Sequence, residues 1–179
     1  MRSMTTEEEM RRLSSKGTEY EKLCKIIDSC ITDTMDISSY DMCVGDYQGL
    51  LYGLRIATYG SSCLNPSICP KCGKLNNHKV DLYNLTPIEF EGFKDEDFQV
   101  VLPRSGKTVV IKMQTPRTLD TIDKDIEEFN KKHPDNDLDM TVLFTLKHCI
   151  KSVDGSIYDP IKIESFLRKL PMSDTNALI

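Results

Sequence analysis

Residues 61–79 read SSCLNPSICPKCGKLNNHK, and they separate two stretches of the chain that have helical patterns. The segment is polar and contains two prolines and three cysteines, a composition that breaks helices and favours an irregular or hairpin structure. Val80 and Leu82 then alternate with charged residues, as they would in a strand. The segment is therefore the predicted boundary between an N-terminal helical lobe and the rest of the chain.

The residues before this segment are predicted to form helices. The run Thr5–Glu9 offers a capping box with carboxylates near the positive helix end, and it predicts a first helix. A second helix is predicted to begin near Thr18, with apolar residues at helical spacing from Tyr20 to Ile31 as its buried stripe. Cys24 and Cys30 lie on this stripe, so we interpret them as core residues rather than reactive thiols.

A third helix is predicted from Gly45 to Thr58. Asp46 is its expected N-terminal cap, and Gly60 suits the left-handed conformation that stops a helix. Its expected inner face consists of Tyr47, Leu50, Leu51 and Leu54.

The second half of the chain begins with a predicted β-hairpin. Phe98–Leu102 and Thr108–Met113 are rich in β-branched residues and flank a turn-like segment. Residues 84–97 are predicted to form a loop with a short helical turn. Helices are then predicted to begin at Thr115-Pro116, near Asp139, at Asp159-Pro160 and at Ser173-Asp174, and the second of them is predicted to run to Ser152.

The predicted fold class is α+β, mostly helical, with a small central β-hairpin region and a zinc-ribbon-like knuckle. Residues 1–60 are expected to form an N-terminal helical segment, residues 61–115 the cysteine knuckle and hairpin region, and residues 116–179 a C-terminal helical segment. Together they are expected to make one compact unit or two small lobes.

Composition narrows the classes of function. The 179 residues carry a net charge of −5, which argues against broad electrostatic binding to nucleic acid. The sequence has no run of 18 apolar residues for a membrane-spanning helix, and MRSMTTEEEM lacks the apolar region of a secretory signal. Seven cysteines, an odd number, fit reduced thiols in a cytoplasm better than a disulfide framework, with some of them buried and some bound to metal.

The sharpest local motif is Cys69-Pro70-Lys71-Cys72-Gly73. Two thiolates at this spacing can bind one tetrahedral ion, and Gly73 tolerates the backbone twist of the turn. A closed zinc site needs four ligands, and the nearest candidates for the other two are Cys63 and His78. We therefore predict a structural zinc site formed by Cys69, Cys72, Cys63 and His78. Two alternatives remain: a knuckle that keeps the turn without the ion, and ligands from another chain or copy.

Two motifs that suggest enzymes fail their structural conditions. A thioredoxin-like Cys-Pro-x-Cys site lies at the start of a helix, whereas Gly73 and Asn76 follow here and break helices. Ser105–Thr108 is similar to the end of a phosphate-binding loop, but Val101 occupies the position of the required first glycine. A hairpin turn is the better interpretation of the second motif.

The histidines offer no catalytic pair. His148 and Cys149 are neighbours on a predicted helix, so their side chains diverge by about 100° and do not form a nucleophile and its base. Gly-x-Ser-x-Gly, His-Glu-x-x-His and EF-hand patterns are absent from the sequence. We predict no catalytic residues and no enzymatic activity.

The order of several short motifs along the chain resembles the T4-like baseplate family, the hub-assembly and tail-assembly proteins of contractile-tailed phages. The motifs are Met4–Glu9, Val44-Gly45-Asp46, Leu50-Leu51, Leu54-Arg55-Ile56 with Tyr59-Gly60, Cys69–Gly73 with Val80-Asp81-Leu82, Leu102-Pro103 with Gly106-Lys107, Ile150–Gly155, and Phe166-Leu167 with Leu170-Pro171. In longer members a second Cys-x-x-Cys pair follows the last motif, and this sequence has no such pair.

The resemblance implies a non-catalytic structural or assembly component of the baseplate or hub. Such a protein would bind other tail proteins, occur in several copies in a symmetric assembly, and lie in the virion tail after assembly in the host cytoplasm. One alternative is a transient tail-assembly chaperone. Another, from a different class, is a zinc-ribbon nucleic-acid-binding module, for which Lys71, Lys74 and Lys79 provide a small basic cluster.

Overall fold

The computed structural model describes residues 1–86, 88, 98–157 and 159–179. It divides into two compact units, Met1–Glu89 and Phe90–Ile179. Both helices and antiparallel sheets are present, so the predicted α+β class is confirmed. The loop predicted over residues 84–97 falls largely outside the described residues. No helix among the described residues combines the length and the apolar character that a membrane span requires.

Three helices begin the N-terminal unit: α1 (Thr6–Arg12), α2 (Glu19–Cys30) and α3 (Val44–Tyr59). The predicted caps of the first two are confirmed. Thr5 and Glu8 form a reciprocal capping box on α1, and the Thr18 side chain accepts a hydrogen bond from the backbone N–H of Glu21 at the start of α2. Local side-chain chemistry therefore sets both helix starts.

The start of α3 differs from the prediction. Its N-cap is Cys43, which makes no side-chain capping bond, so the prediction that Asp46 caps the helix is wrong. Asp46 lies in the first turn, where its carboxylate accepts a hydrogen bond of 3.0 Å from the Cys43 thiol. The predicted stop is confirmed, because Gly60 is the C-cap and has a φ of 82°.

The N-terminal unit is held together by packing between α2 and α3. Cys24, Ile26, Ile27 and Cys30 of α2 cluster with Tyr47 and Leu54 of α3, and all six are buried. The prediction that Cys24 and Cys30 are core residues is confirmed.

After α3 the chain forms a two-stranded antiparallel hairpin, β1 (Ser62–Ile68) and β2 (Leu75–Asp81), followed by a 3-10 turn at Leu82–Asn84. Residues 62–81 are called the hairpin arm below. The Arg55 guanidinium of α3 donates hydrogen bonds to the carbonyl oxygens of Gly60 and Ser62, at 2.7 and 3.2 Å. These bonds tie the base of the arm to α3.

The C-terminal unit contains a three-stranded antiparallel sheet in the order β3 (Gln99–Val101), β4 (Thr108–Ile111), β5 (Ile150–Val153). The predicted hairpin between residues 98 and 113 is confirmed. Its helices are α4 (Pro116–Lys132), α5 (Thr141–Cys149), α6 (Pro160–Leu167) and α7 (Met172–Leu178). The predicted middle segment, residues 61–115, therefore contributes strands to both units.

Two boundaries in this unit differ from the predictions. The helix predicted to reach Ser152 ends at Cys149, because Ile150–Val153 pairs with β4 as a strand and buries Ile150 and Val153. The last helix begins at Met172, with Pro171 as its N-cap, rather than at Ser173-Asp174. The first correction arises from pairing with a distant strand that the local sequence does not encode.

The core of the C-terminal unit lies between the sheet and the helices. Val109 and Val153 are fully buried there with Ile163 and Leu167. A second cluster joins α4 and α5 through Ile122, Met140 and Phe144. The side chains of Thr115 and Asp159 cap α4 and α6, each followed by a proline, as predicted.

Candidate functional site

The tip of the hairpin arm is a tight turn that carries two cysteines. The backbone N–H of Cys69 donates to the Lys74 carbonyl at 2.9 Å, and the N–H of Gly73 donates to the Cys69 carbonyl at 2.9 Å. Gly73 has a φ of 68°, in the left-handed region that favours glycine. These features position the Cys69 and Cys72 side chains on one short loop.

The two sulfur atoms lie close enough to interact. The backbone N–H groups of Lys71 and Cys72 and the thiol of Cys72 hydrogen-bond to the Cys69 sulfur, and they lower the pKa of Cys69 from its ordinary value. Cys72 is exposed and Cys69 is half-buried. A loop that presents two adjacent sulfurs with this support suits a soft metal ion that prefers thiolates.

The structure places the other two predicted ligands elsewhere on the arm. Cys63 pairs with Val80 at the base of the arm, and His78 lies opposite Asn65 in the middle. At about 3.3 Å per strand residue, Cys63 is roughly 20 Å from Cys69 along the strand. Within the part of the chain that the structure describes, no group of three or more Cys, His, Asp or Glu side chains is arranged to hold an ion.

The residues present thus fit half of a zinc site. Cys69 and Cys72 come together, whereas Cys63 and His78 do not join them in this conformation. A completed zinc ribbon is not formed by the described residues of one chain. Zinc itself, and the set of four ligands, stay predictions.

One face of the arm carries a row of exposed apolar residues. Because paired residues share a face and faces alternate along a strand, Leu64, Pro66, Ile68 and Leu75 lie on the same side, together with Asn77 and Lys79 nearer the base of the arm. Leu64, Ile68 and Leu75 are 68%, 70% and 66% exposed. Ile68 and Leu75 are directly opposite each other, next to the cysteine turn. An isolated two-stranded ribbon is marginally stable, and an exposed apolar face of this kind is typical of an interface.

Sequence reasoning predicted the cysteine turn but missed this apolar face. The signal was present in the alternation of Leu64, Pro66 and Ile68 with polar residues. The cysteines and prolines of residues 61–79 led to the prediction of an irregular or hairpin structure, in which no face was assigned to these apolar residues.

The phosphate-loop interpretation of Ser105–Thr108 is excluded by the geometry. Gly106 has a φ of 69°, and its N–H donates to the Leu102 carbonyl at 3.0 Å within the turn between β3 and β4. The Lys107 ammonium pairs with Asp154 at 2.7 Å. These residues close a hairpin, as predicted.

His148 and Cys149 have separate partners, as their neighbouring positions on a helix predicted. His148 Nε2 lies 2.9 Å from Asp125 Oδ2, and Gln114 Nε2 lies 3.1 Å from the Cys149 sulfur. Burial raises the pKa of Cys149, which disfavours the thiolate. Their geometry therefore gives them roles in packing and pairing within the C-terminal unit.

A family model described as T4 bacteriophage base plate protein matches residues 1–178. No curated protein and no solved structure matches the chain at a significant level.

Proposed function

The chain belongs to the T4 bacteriophage base plate protein family, and on this premise we propose that it is a subunit of the baseplate hub of a contractile tail that binds other tail proteins. The observation that carries the proposal is the extent of the family match, which includes both compact units. A phage baseplate component is the role that this family supports, and it is a structural one.

The distribution of polar groups supports a scaffold. Glu8 pairs with Arg2 to fix the N-terminus, Asp174 binds backbone N–H groups of the β3–β4 turn, and Lys107 pairs with Asp154. These charged side chains make contacts within the chain that stabilise its fold. The uncovered apolar face of the hairpin arm supports contacts with neighbouring subunits.

Deletion of the gene from the phage tests this proposal. The proposed role requires that phage without the gene assemble no complete baseplates. It also requires that the wild-type gene supplied in trans restores their assembly. The variant Asp123→Asn, which changes an exposed residue of α4, is the matched control and is expected to restore them equally. Normal tails from the deleted phage would contradict the proposal.

Fractionation of assembly intermediates separates the two alternatives. A structural subunit stays with finished baseplates through purification, whereas an assembly chaperone is found with unassembled tail proteins and is lost from finished baseplates. A nucleic-acid-binding module would instead bind DNA or RNA with an affinity that falls steeply as salt rises. Loss of the chain from finished baseplates would favour the chaperone, and salt-sensitive binding to DNA or RNA would favour the nucleic-acid-binding module. Either result would contradict the proposed function.

A further inference from the structure

The cysteine turn is an incomplete coordination site at an exposed end of the fold. Structural zinc sites are closed and tetrahedral, with four protein ligands, and this turn supplies two sulfurs. Cys63 and His78 are held away from the turn by the register of β1 and β2. No third ligand joins the turn among the residues that the structure describes, and a second copy of the chain could supply the other two.

We propose that two copies of this chain bind one Zn²⁺ between their hairpin tips, through Cys69 and Cys72 of each copy. A two-fold interface presents the same patch twice, so it supplies four sulfurs from one sequence. Thiols that are protonated before binding release their protons to solvent when the metal binds. The inference rests on the proposed function, because it names a second copy as one of the subunits that the chain contacts.

The apolar residues beside the turn are suited to the same interface. Ile68 and Leu75 form a directly opposed pair next to the cysteines, and they are 70% and 66% exposed. When two tips meet at one ion, these pairs lie beside the metal on both copies. Burial of these side chains favours association of the two copies. The second copy then covers the exposed apolar residues of the arm.

The charges at the tip are also complementary to this arrangement. Four thiolates around one Zn²⁺ leave a net formal charge of about −2. Lys71 lies between the two cysteines in sequence, and Lys74 follows Gly73, and both are exposed. Two copies therefore place four ammonium groups around an anionic centre, where opposite charge is stabilising.

The test uses the purified full chain with a non-thiol reductant, which prevents disulfide-linked dimers. Zinc is removed and then added back, while zinc content and molar mass are measured together. We expect a metal-free monomer, a dimer that holds one Zn²⁺ for every two chains, and a return to monomer on chelation. Cobalt in place of zinc is expected to give the absorption spectrum of a four-sulfur site.

Variants assign the ligands. Cys69→Ser and Cys72→Ser are expected to abolish both zinc binding and dimerisation, while the melting temperature of the metal-free chain stays near that of the metal-free wild type, since both residues lie on a surface turn. Cys63→Ser and His78→Ala are the matched controls and are expected to retain both. Ile68→Asp, which keeps all four sulfurs, is expected to weaken the dimer by about tenfold or more.

Three results would overturn the inference. One is a zinc-bound monomer that loses its metal in Cys63→Ser or His78→Ala, which assigns the site to a single chain. Another is a dimer that forms equally without zinc. The third is a wild-type chain that binds no zinc on its own. In each case, the presence of the chain in finished baseplates would still support the proposed function, so the two failures are distinguishable.

Discussion

The carboxylate of Asp174 accepts a hydrogen bond of 2.7 Å from the backbone N–H of Arg104, seventy residues earlier in the chain. Its other oxygen accepts a bond of 3.0 Å from the N–H of Ser105. Asp174 is fully buried, and burial raises its pKa, but the bonds from Arg104 and Ser105 outweigh burial and hold the pKa below its ordinary value. One side chain of α7 thereby fixes the turn between β3 and β4.

Replacement of Asp174 by Ala should destabilise the C-terminal unit. The substitution leaves two backbone N–H groups without their acceptor in a buried place, and it removes a contact between α7 and the turn. We expect the melting temperature of that unit to fall by on the order of 5 °C or more. Asp123→Asn, on the exposed face of α4, is the control, and an equal fall in both variants would contradict this role.

Glu8 should make the N-terminal unit sensitive to acid. The Arg2 guanidinium donates to both carboxylate oxygens at 2.7 and 2.9 Å, and the Thr5 N–H and the Ser29 hydroxyl donate at 2.8 and 2.7 Å. These bonds lower the pKa of Glu8 well below its ordinary value of 4.5. Because the folded pKa is depressed, the stabilisation is present above pH 4.5 and is lost as the pH falls towards the folded pKa.

The variant Glu8→Gln isolates this contribution. We expect it to be less stable than the wild type at pH 7 by about 1–2 kcal/mol. The difference should shrink as the pH falls below 4.5, because the unfolded wild type then takes up a proton on Glu8 that the folded state does not. Denaturant unfolding at several pH values measures it. A difference that is constant from pH 7 to pH 2 would show that ionisation of Glu8 is not the cause.

Ile27 should be among the most sensitive positions of the N-terminal unit. It is fully buried between α2 and α3, so Ile27→Ala leaves a cavity and is expected to cost about 2–5 kcal/mol of unfolding free energy. Leu13, at the end of α1, is 68% exposed, and Leu13→Ala is expected to cost less than about 0.5 kcal/mol. Similar costs for the two variants would contradict the packing described here.

Gly73 should be required for its backbone conformation rather than for space. A Cβ at this position meets no atom within 4 Å, but the φ of 68° is strained for most residues. Gly73→Ala is expected to destabilise the turn by about 1 kcal/mol, and Gly73→Asn by less, because Asn adopts this region more readily. Faster amide exchange at Cys69, whose N–H bonds to Lys74, measures the loss. Equal exchange in Gly73→Ala and the wild type would contradict this explanation.

The sequence was sufficient for features that depend on nearby residues. Thr5, Thr18, Thr115 and Asp159 were predictable as caps because each binds backbone groups three residues later or less. The end of α5 was not predictable in this way. Ile150 and Val153 belong to a strand only through pairing with β4, some forty residues earlier. The role of Asp174 likewise depends on a contact across seventy residues.

The candidate site likewise has one part that was predictable from nearby residues and one part that was not. The turn around Cys69 and Cys72 follows from local spacing and from Gly73. The position of Cys63 does not follow from local spacing. It depends on a strand register in which Cys63 is paired with Val80 at the far end of the arm. Ligands chosen by distance in sequence were therefore separated by the extended geometry of the strands.

The most direct test of the proposed baseplate role is absolute quantification, by mass spectrometry, of peptides from this chain in purified mature virions. The proposal predicts that the chain is present in a fixed ratio to other baseplate proteins, and that the ratio survives further purification of the tails. Absence of the chain from mature virions that are otherwise complete would contradict it.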